Sequence, residues 1–146
     1  ALVALVILTV SLGPALVLSS SISSTASVIK HNLIAANLSQ EGVEVIRALR
    51  DVNWFNGLSF DTGLTDGTYR IEWNSNSLIS LGTNPFLKIN SGLYNYSSGT
   101  DTIFKRTITI TKINSEELRI ISSVNWTERG NRARDVRAES HLFDWK

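Results

Sequence analysis

The sequence predicts an α+β protein in which one long N-terminal helix precedes an antiparallel β-sheet. Residues 1–29 carry no charged side chain. Apolar residues then recur with helical spacing as far as Val52, and from Thr102 onward they alternate with polar residues, as in half-buried strands. We therefore assign residues 1–53 to the helix and residues 54–146 to a globular β-sheet head.

The first part of the helix is too apolar to stand alone in water. Eleven of the first eighteen residues are Leu, Val or Ile. At about 1.5 to 3 kcal/mol per buried aliphatic side chain, exposing them to water costs on the order of 15 to 30 kcal/mol. The segment therefore requires lipid or copies of itself. The side chains that we expect to pack in a filament core are Leu2, Leu5, Val6, Leu8, Leu12, Leu16 and Val17.

Gly13 and Pro14 predict a helix break within this segment. Proline lacks a backbone N–H, and its ring clashes with the carbonyl four residues earlier, which belongs to Val10. Gly13 adds backbone freedom. We expect a kink or a non-helical turn near residues 13–14, either as a simple kink of a membrane helix or as a hinge that extends when subunits pack.

The second part of the helix is amphipathic. Some fifty helical residues extend about 75 Å at about 1.5 Å per residue, whereas the hydrocarbon core of a bilayer is about 30 Å thick. This part therefore lies outside any membrane and packs on another element. Its apolar stripe consists of Ile34, Leu38, Val45, Ile46, Leu49 and Val52, with Ala35 and Gly42 between them on the same side.

The N-terminal residues resemble a known family. The opening ALVALVIL, the Gly-Pro interruption and the segment AANLSQEGVEVIR at residues 35–47 are similar to the N-terminal helix of type IV pilins, and most similar to the type IV pilus modification family of minor pilins. The resemblance covers about the first fifty-five residues. It implies a precursor cleaved and methylated by a prepilin peptidase, held in the inner membrane and drawn into a filament by assembly machinery. Family members carry a glutamate near the mature N-terminus, whereas the first acidic residue here is Glu41.

The head is expected to consist of short strands followed by three long ones. The short candidates are residues 68–73, 78–81 and 86–89, the last an edge strand because Pro85 precedes it, and residues 92–99 form a loop or hairpin tip. The long strands are residues 103–113, 118–127 and 134–142, joined by turns at residues 114–116 and 129–131. Short turns between consecutive strands predict an antiparallel meander.

One face of this meander should pack against the amphipathic part of the helix, which is the only long apolar stripe that fits it. The apolar part of the helix would then project as a tail. The residues of this predicted helix–sheet core are Ile34, Leu38, Val45, Ile46, Leu49, Ile108, Ile110, Ile120, Val124, Trp126 and Val136.

The sequence offers little catalytic chemistry. With 14 basic and 13 acidic residues, its net charge of +1 indicates no particular partner. The absence of cysteine excludes disulfides, thiolate metal sites and a cysteine nucleophile. His31 and His141 are far apart in sequence, and there is neither a phosphate-binding glycine motif nor a nucleophile elbow. We expect no enzyme, no metal and no cofactor.

Other polar clusters have ordinary interpretations. One basic cluster suggests contact with nucleic acid or another anionic surface, but interleaved acidic residues favour a charged strand face or a subunit contact. Three loop aspartates offer oxygen ligands for calcium but lack the spacing of a known site. Three sequences match the acceptor pattern for N-linked sugar. The basic cluster is Arg129, Arg132, Arg134 and Arg137, and the loop aspartates are Asp61, Asp66 and Asp101. The acceptor patterns begin at Asn37, Asn95 and Asn125.

Three functional hypotheses follow. The first is a structural subunit of an extracellular type IV pilus-like filament, a helical polymer of many copies on a bacterial cell surface. The second is a minor pseudopilin that caps or primes a short filament of a type II secretion-like system. The third is a single-pass membrane protein whose β-sheet head binds a ligand. The first two use residues 1–29 for assembly, and the third uses them as an anchor.

Overall fold

A computed structural model of the chain describes residues 1–145, except for the side chain of Ser11. Lys146, the last residue of the predicted head, lies outside the described residues. Helix α1 extends over Leu2–Phe55, two residues beyond its predicted end. Two residues after its end, Gly57 has a left-handed φ of 71°, and its N–H donates to the carbonyl of Trp54 at 3.1 Å. Glycine is common at such helix ends because it lacks a Cβ.

The chain forms two compact units, Ala1–Leu33 and a second that begins at Ile34. The boundary lies inside α1, whereas the predicted division followed the end of the helix. The reason is that side chains of α1 from Ile34 onward belong to the hydrophobic clusters formed with the sheet. The C-terminal part of the helix is thus a structural part of the head.

The expected break at Gly13 and Pro14 does not appear in the single chain, since α1 continues through both residues. Proline removes only its own N–H from the ladder, so hydrogen bonds before and after it still hold the helix. The prediction of non-helical backbone in an assembled filament remains a prediction.

Within residues 1–145, eight strands follow α1, all paired antiparallel. Five of them form one sheet in the order β2-β1-β6-β7-β8, and the other three form a second sheet in the order β4-β3-β5. The α+β class is therefore confirmed. The strands are β1 Gly67–Arg70, β2 Ile79–Ser80, β3 Lys88–Asn90, β4 Leu93–Asn95, β5 Thr100–Asp101, β6 Lys105–Asn114, β7 Glu117–Glu128 and β8 Arg132–Phe143.

The long strands β6, β7 and β8 form the predicted meander. Their register aligns Ile110 with Ile120, and Val124 with Val136. At the turn between β7 and β8, both Gly130 (φ 79°) and Asn131 (φ 57°) adopt left-handed backbone conformations. These two residue types tolerate that conformation best, which explains the composition of the turn.

The second sheet corrects two predictions. The strand expected at residues 86–89 is shorter, and as β3 it is the central strand of its sheet rather than an edge. The stretch described as a loop or hairpin tip contains β4, which pairs Tyr94 with Ile89. Strands of two or three residues are too short to show a period in sequence.

The helix buries a face that is rotated slightly from the predicted stripe. Ala35, Leu38, Ser39, Val43 and Ile46 are all buried, at the spacing of one helical face. Gly42 lies at the closest approach to the sheet, because a Cβ built there would stand 2.7 Å from Cδ1 of Ile108. Consequently, Val45 and Leu49 lie at the margin of the core, and Val52 is exposed.

Two hydrophobic clusters fill the space between α1 and the strands. The first contains Ile46, Ile108, Ile110 and Ile120, with Val45 and Leu49 packed against it. The second contains Leu38, Val124 and Trp126, with Ile34 and Val136 packed against it. Every residue of the predicted helix–sheet core therefore lies in one of the two clusters or packs against it.

Candidate assembly surface

The N-terminal segment presents its apolar side chains outward along its whole length. Exposure of the seven predicted packing residues ranges from 52% at Leu12 to 83% at Leu2. None of the most apolar 18-residue stretch of α1 is buried within the chain. The stretch has a mean hydropathy of 2.4, enough by length and composition for a membrane span, a criterion that signal sequences also meet.

Three hydroxyl groups of this segment donate to carbonyls of the same helix. Thr9 donates to the carbonyl of Val6 at 2.9 Å, and both Ser24 and Thr25 donate to the carbonyl of Ser21, at 2.8 and 3.0 Å. Such back-bonding satisfies these three hydroxyl protons without water. Small side chains of this kind allow neighbouring helices to approach closely.

In the head, a buried arginine joins the helix to the sheet. Arg106 is 0% exposed. Its Nη1 donates to the carbonyl of Leu38 at 3.0 Å and to Oε1 of Glu41 at 2.7 Å, and its Nη2 donates to the carbonyl of Ile71. One guanidinium therefore links α1, β6 and the segment that follows β1. Because it pairs with this arginine, Glu41 is half-buried.

The sequence itself indicates that Arg106 faces the core. Arg106 precedes Ile108 and Ile110 by two and four residues, so period-two alternation places it on the core face of β6. A guanidinium on a core face requires several acceptors, and the only acidic residue on the buried side of the helix is Glu41.

Tyr96, which directly follows β4, connects the second sheet to Arg106. The hydroxyl of Tyr96 donates to the backbone carbonyl of Arg106 at 3.3 Å, and its N–H donates to Oε1 of Glu72 at 2.8 Å. Burial raises the pKa of Tyr96. Burial, with a smaller effect of the Glu41 carboxylate, raises the pKa of Tyr94. Both phenols are therefore neutral groups packed against the core.

The outward face of the meander carries alternating opposite charges. Arg119 holds Glu139 through two hydrogen bonds, of 2.6 and 3.2 Å. Nδ1 of His141 lies 2.6 Å from Oε1 of Glu117, and this hydrogen bond raises the pKa of His141. The Arg119 hydrogen bonds lower the pKa of Glu139.

The predicted basic cluster does not form one patch of unpaired cations. Arg137 pairs with Asp135 at 3.0 Å. Arg129, Arg132 and Arg134 lie exposed at the β7–β8 turn and the first residues of β8. Paired charges on the rest of the face favour an ordinary charged strand surface.

The remaining polar candidates have structural roles where their contacts are known. Asp61 accepts from Nζ of Lys112 at 2.5 Å, and Asp66 accepts from the backbone N–H of the same residue, so both fix the loop against β6. Oδ1 of Asn95 accepts from the backbone N–H groups of residues 97 and 98, and Asn95 itself is buried. Asn37 and Asn125 are exposed.

Comparisons with protein-family models, with curated proteins and with solved structures found no significant match to this chain.

Proposed function

We propose that this chain is a structural subunit of a type IV pilus-like filament, which polymerises through the apolar N-terminal part of α1. The observation that supports this proposal is the uncharged surface of residues 1–29, on which the seven packing residues are more than half exposed. Hydrophobic burial between sister helices is the driving force, because it removes this surface from water. The heads then form the outer wall of the polymer.

Two features favour helix–helix packing over a lone anchor. The 28 uncharged helical residues from 2 to 29 extend about 42 Å at about 1.5 Å per residue, which exceeds the hydrocarbon core of about 30 Å. The hydroxyls of Ser24 and Thr25 bond back to the carbonyl of Ser21, so these two polar groups can enter a protein bundle with their hydrogen bonds already made.

The resemblance to type IV pilins supplies the remaining parts of the proposal. The subunit resides in the bacterial inner membrane before assembly, is processed by a prepilin peptidase and is drawn by assembly machinery into a filament on the cell surface. Its function is assembly rather than catalysis, and it requires no cofactor.

Two separate variants test this proposal. One places a charge in the N-terminal segment, and the other places a charge in the part of α1 that belongs to the head. We expect Leu8→Lys to abolish filaments in sheared surface material viewed by electron microscopy, since a lysine in the bundle would be desolvated. Val52→Lys is the matched control, because Val52 is also an exposed apolar residue of α1 but lies outside the segment. Tryptophan fluorescence should show a folded head in both variants.

Two outcomes would refute the filament. One is normal polymerisation of the Leu8→Lys variant. The other is a purified chain that remains a monomer in every detergent and after detergent removal, which would instead indicate a membrane anchor. Short filaments found only in the periplasm would indicate a pseudopilin.

A further inference from the structure

Strand β8 is the long free edge of the five-stranded sheet. It is 12 residues long and pairs with β7 on one side. Within residues 1–145, no strand pairs with its other side. The backbone N–H and C=O groups on that side are therefore available to another strand, and long open edges of this kind are sites of strand addition.

The helix leaves this edge accessible. α1 packs over β6 and β7, and a groove of about 460 Å³ separates it from β8. Val136, Ala138 and Ser140 line the groove and are only half-buried. A side-chain hydrogen bond of 3.3 Å from Arg47 to Ser140 crosses it. Within the unit that begins at Ile34, this groove thus separates the helix from the free side of β8.

The charges along β8 are self-complementary in one antiparallel register. When Ala138 of one copy lies opposite Ala138 of another, residues equally distant from this position face each other. Within β8, basic residues then oppose acidic ones at two positions on each side of the centre. The opposed pairs are Arg137 with Glu139 and His141 with Asp135.

Neighbouring registers lose this match. Centring the pair on Arg137 places Asp135 opposite Glu139, and centring it on Glu139 places Arg137 opposite His141. Directly opposed like charges destabilise a strand pair, whereas opposite charges stabilise it. Registers centred on Val136 or Ser140 keep one kind of opposite-charge pair each. The register centred on Ala138 has two kinds, Arg137 with Glu139 and His141 with Asp135, so the charge order favours it.

We propose that two copies of the chain associate through antiparallel pairing of their β8 strands, with the two-fold axis at Ala138. The two five-stranded sheets then form one continuous sheet of ten strands. The contact is isologous, since the same surface is used by both copies. It goes beyond the proposed filament, because it uses the head and does not involve residues 1–29.

The absence of cysteine permits a direct test by disulfide formation. The full-length chain is used in detergent, with Leu8→Lys present to remove assembly through the N-terminal segment. Paired residues of adjacent strands lie at a Cα separation that suits a disulfide. Mild oxidation of the Ala138→Cys variant should therefore yield a linked dimer on a non-reducing gel. Ala133→Cys is the matched control, because its two copies would lie about 33 Å apart at about 3.3 Å per residue.

Charge reversal tests the register. In the Ala138→Cys variant, adding Arg137→Glu replaces two attractive pairs by two repulsive ones, so we expect cross-linking to slow about tenfold. Adding Glu139→Arg as well should restore the opposite charges and recover the rate. Circular dichroism verifies that each variant is folded.

Several results would overturn the proposal. If the Ala138→Cys variant cross-linked no faster than the Ala133→Cys variant, a two-fold axis at Ala138 would be excluded. If Arg137→Glu left the cross-linking rate unchanged, the proposed strand register would be excluded. Sedimentation of the chain without cysteine substitutions provides an independent measurement, and a monomer at every concentration would exclude the dimer even if a variant failed to fold.

Discussion

Replacing Arg106 by methionine should destabilise the head substantially. Methionine retains much of the side-chain volume, so the main loss is of hydrogen bonds. The carbonyl of Leu38 keeps its helical partner, but the carbonyl of Ile71 loses the Nη2 donor and Glu41 loses its charged partner. An unsatisfied buried carbonyl costs about 1 to 3 kcal/mol, and a hydrogen bond to a charged group contributes about 1.5 to 3 kcal/mol. Because Glu41 is only half-buried and can regain water, we expect a loss of about 2 to 4 kcal/mol in the free energy of unfolding.

Urea denaturation of the full chain in a nonionic detergent, followed by tryptophan fluorescence, measures this loss. The buried Trp126 belongs to the same cluster as Leu38 and reports on the helix–sheet contact. Arg119→Met is the matched control, since its bonds to Glu139 are equally short but lie on the exposed face. Such surface pairs contribute at most about 1 kcal/mol. If Arg106→Met were no more destabilising than this control, the role assigned to the buried guanidinium would be wrong.

Two further predictions concern the head. Gly42→Ala should lower the free energy of unfolding by about 1 to 3 kcal/mol despite the better helix propensity of alanine, because its Cβ would clash with Ile108 and Ser122. Urea denaturation measures this change. An increase in stability would contradict the close approach of α1 to the sheet at Gly42. Protonated His141 is stabilised mainly by Glu117, so its stabilising contribution should be complete below pH 6.5 and lost as pH rises through its elevated pKa. An NMR titration of His141 giving a pKa at or below the ordinary value would contradict this.

The long elements could be predicted because their signals are local. The apolar run, the helical stripe from Ile34 and the alternation in β6 to β8 each repeat over ten or more residues. Such repeats determine which residues can share a face. The register of β7 against its two neighbours then follows from short turns, which leave little freedom in pairing.

Other features depend on tertiary contacts that no local pattern contains. The buried face of α1 is centred on Gly42 because only a residue without a side chain allows the helix to approach Ser122 and Ile108 so closely. Glu41 is drawn inward by an arginine 65 residues away. The strands β3 to β5 have two or three residues each, and their pairing is set by the loops around them.

The exposure of the N-terminal segment follows from hydropathy and involves no tertiary contact. The seven residues predicted to pack in a filament core are each more than half exposed in the described chain, and their packing stays a prediction. The break at Gly13 and Pro14 was expected from intrinsic preferences, yet the helical bonds on both sides keep those residues helical in the single chain.

The buried guanidinium of Arg106 also has a mechanical consequence. Sliding the C-terminal part of α1 along the sheet by one turn, about 5.4 Å, would rupture its contacts to both Leu38 and Glu41 together. A tensile load applied along this part of the helix is therefore resisted in shear by all these bonds at once, rather than by peeling them apart one after another. The head should accordingly withstand traction on its helix better than hydrophobic contact alone would allow.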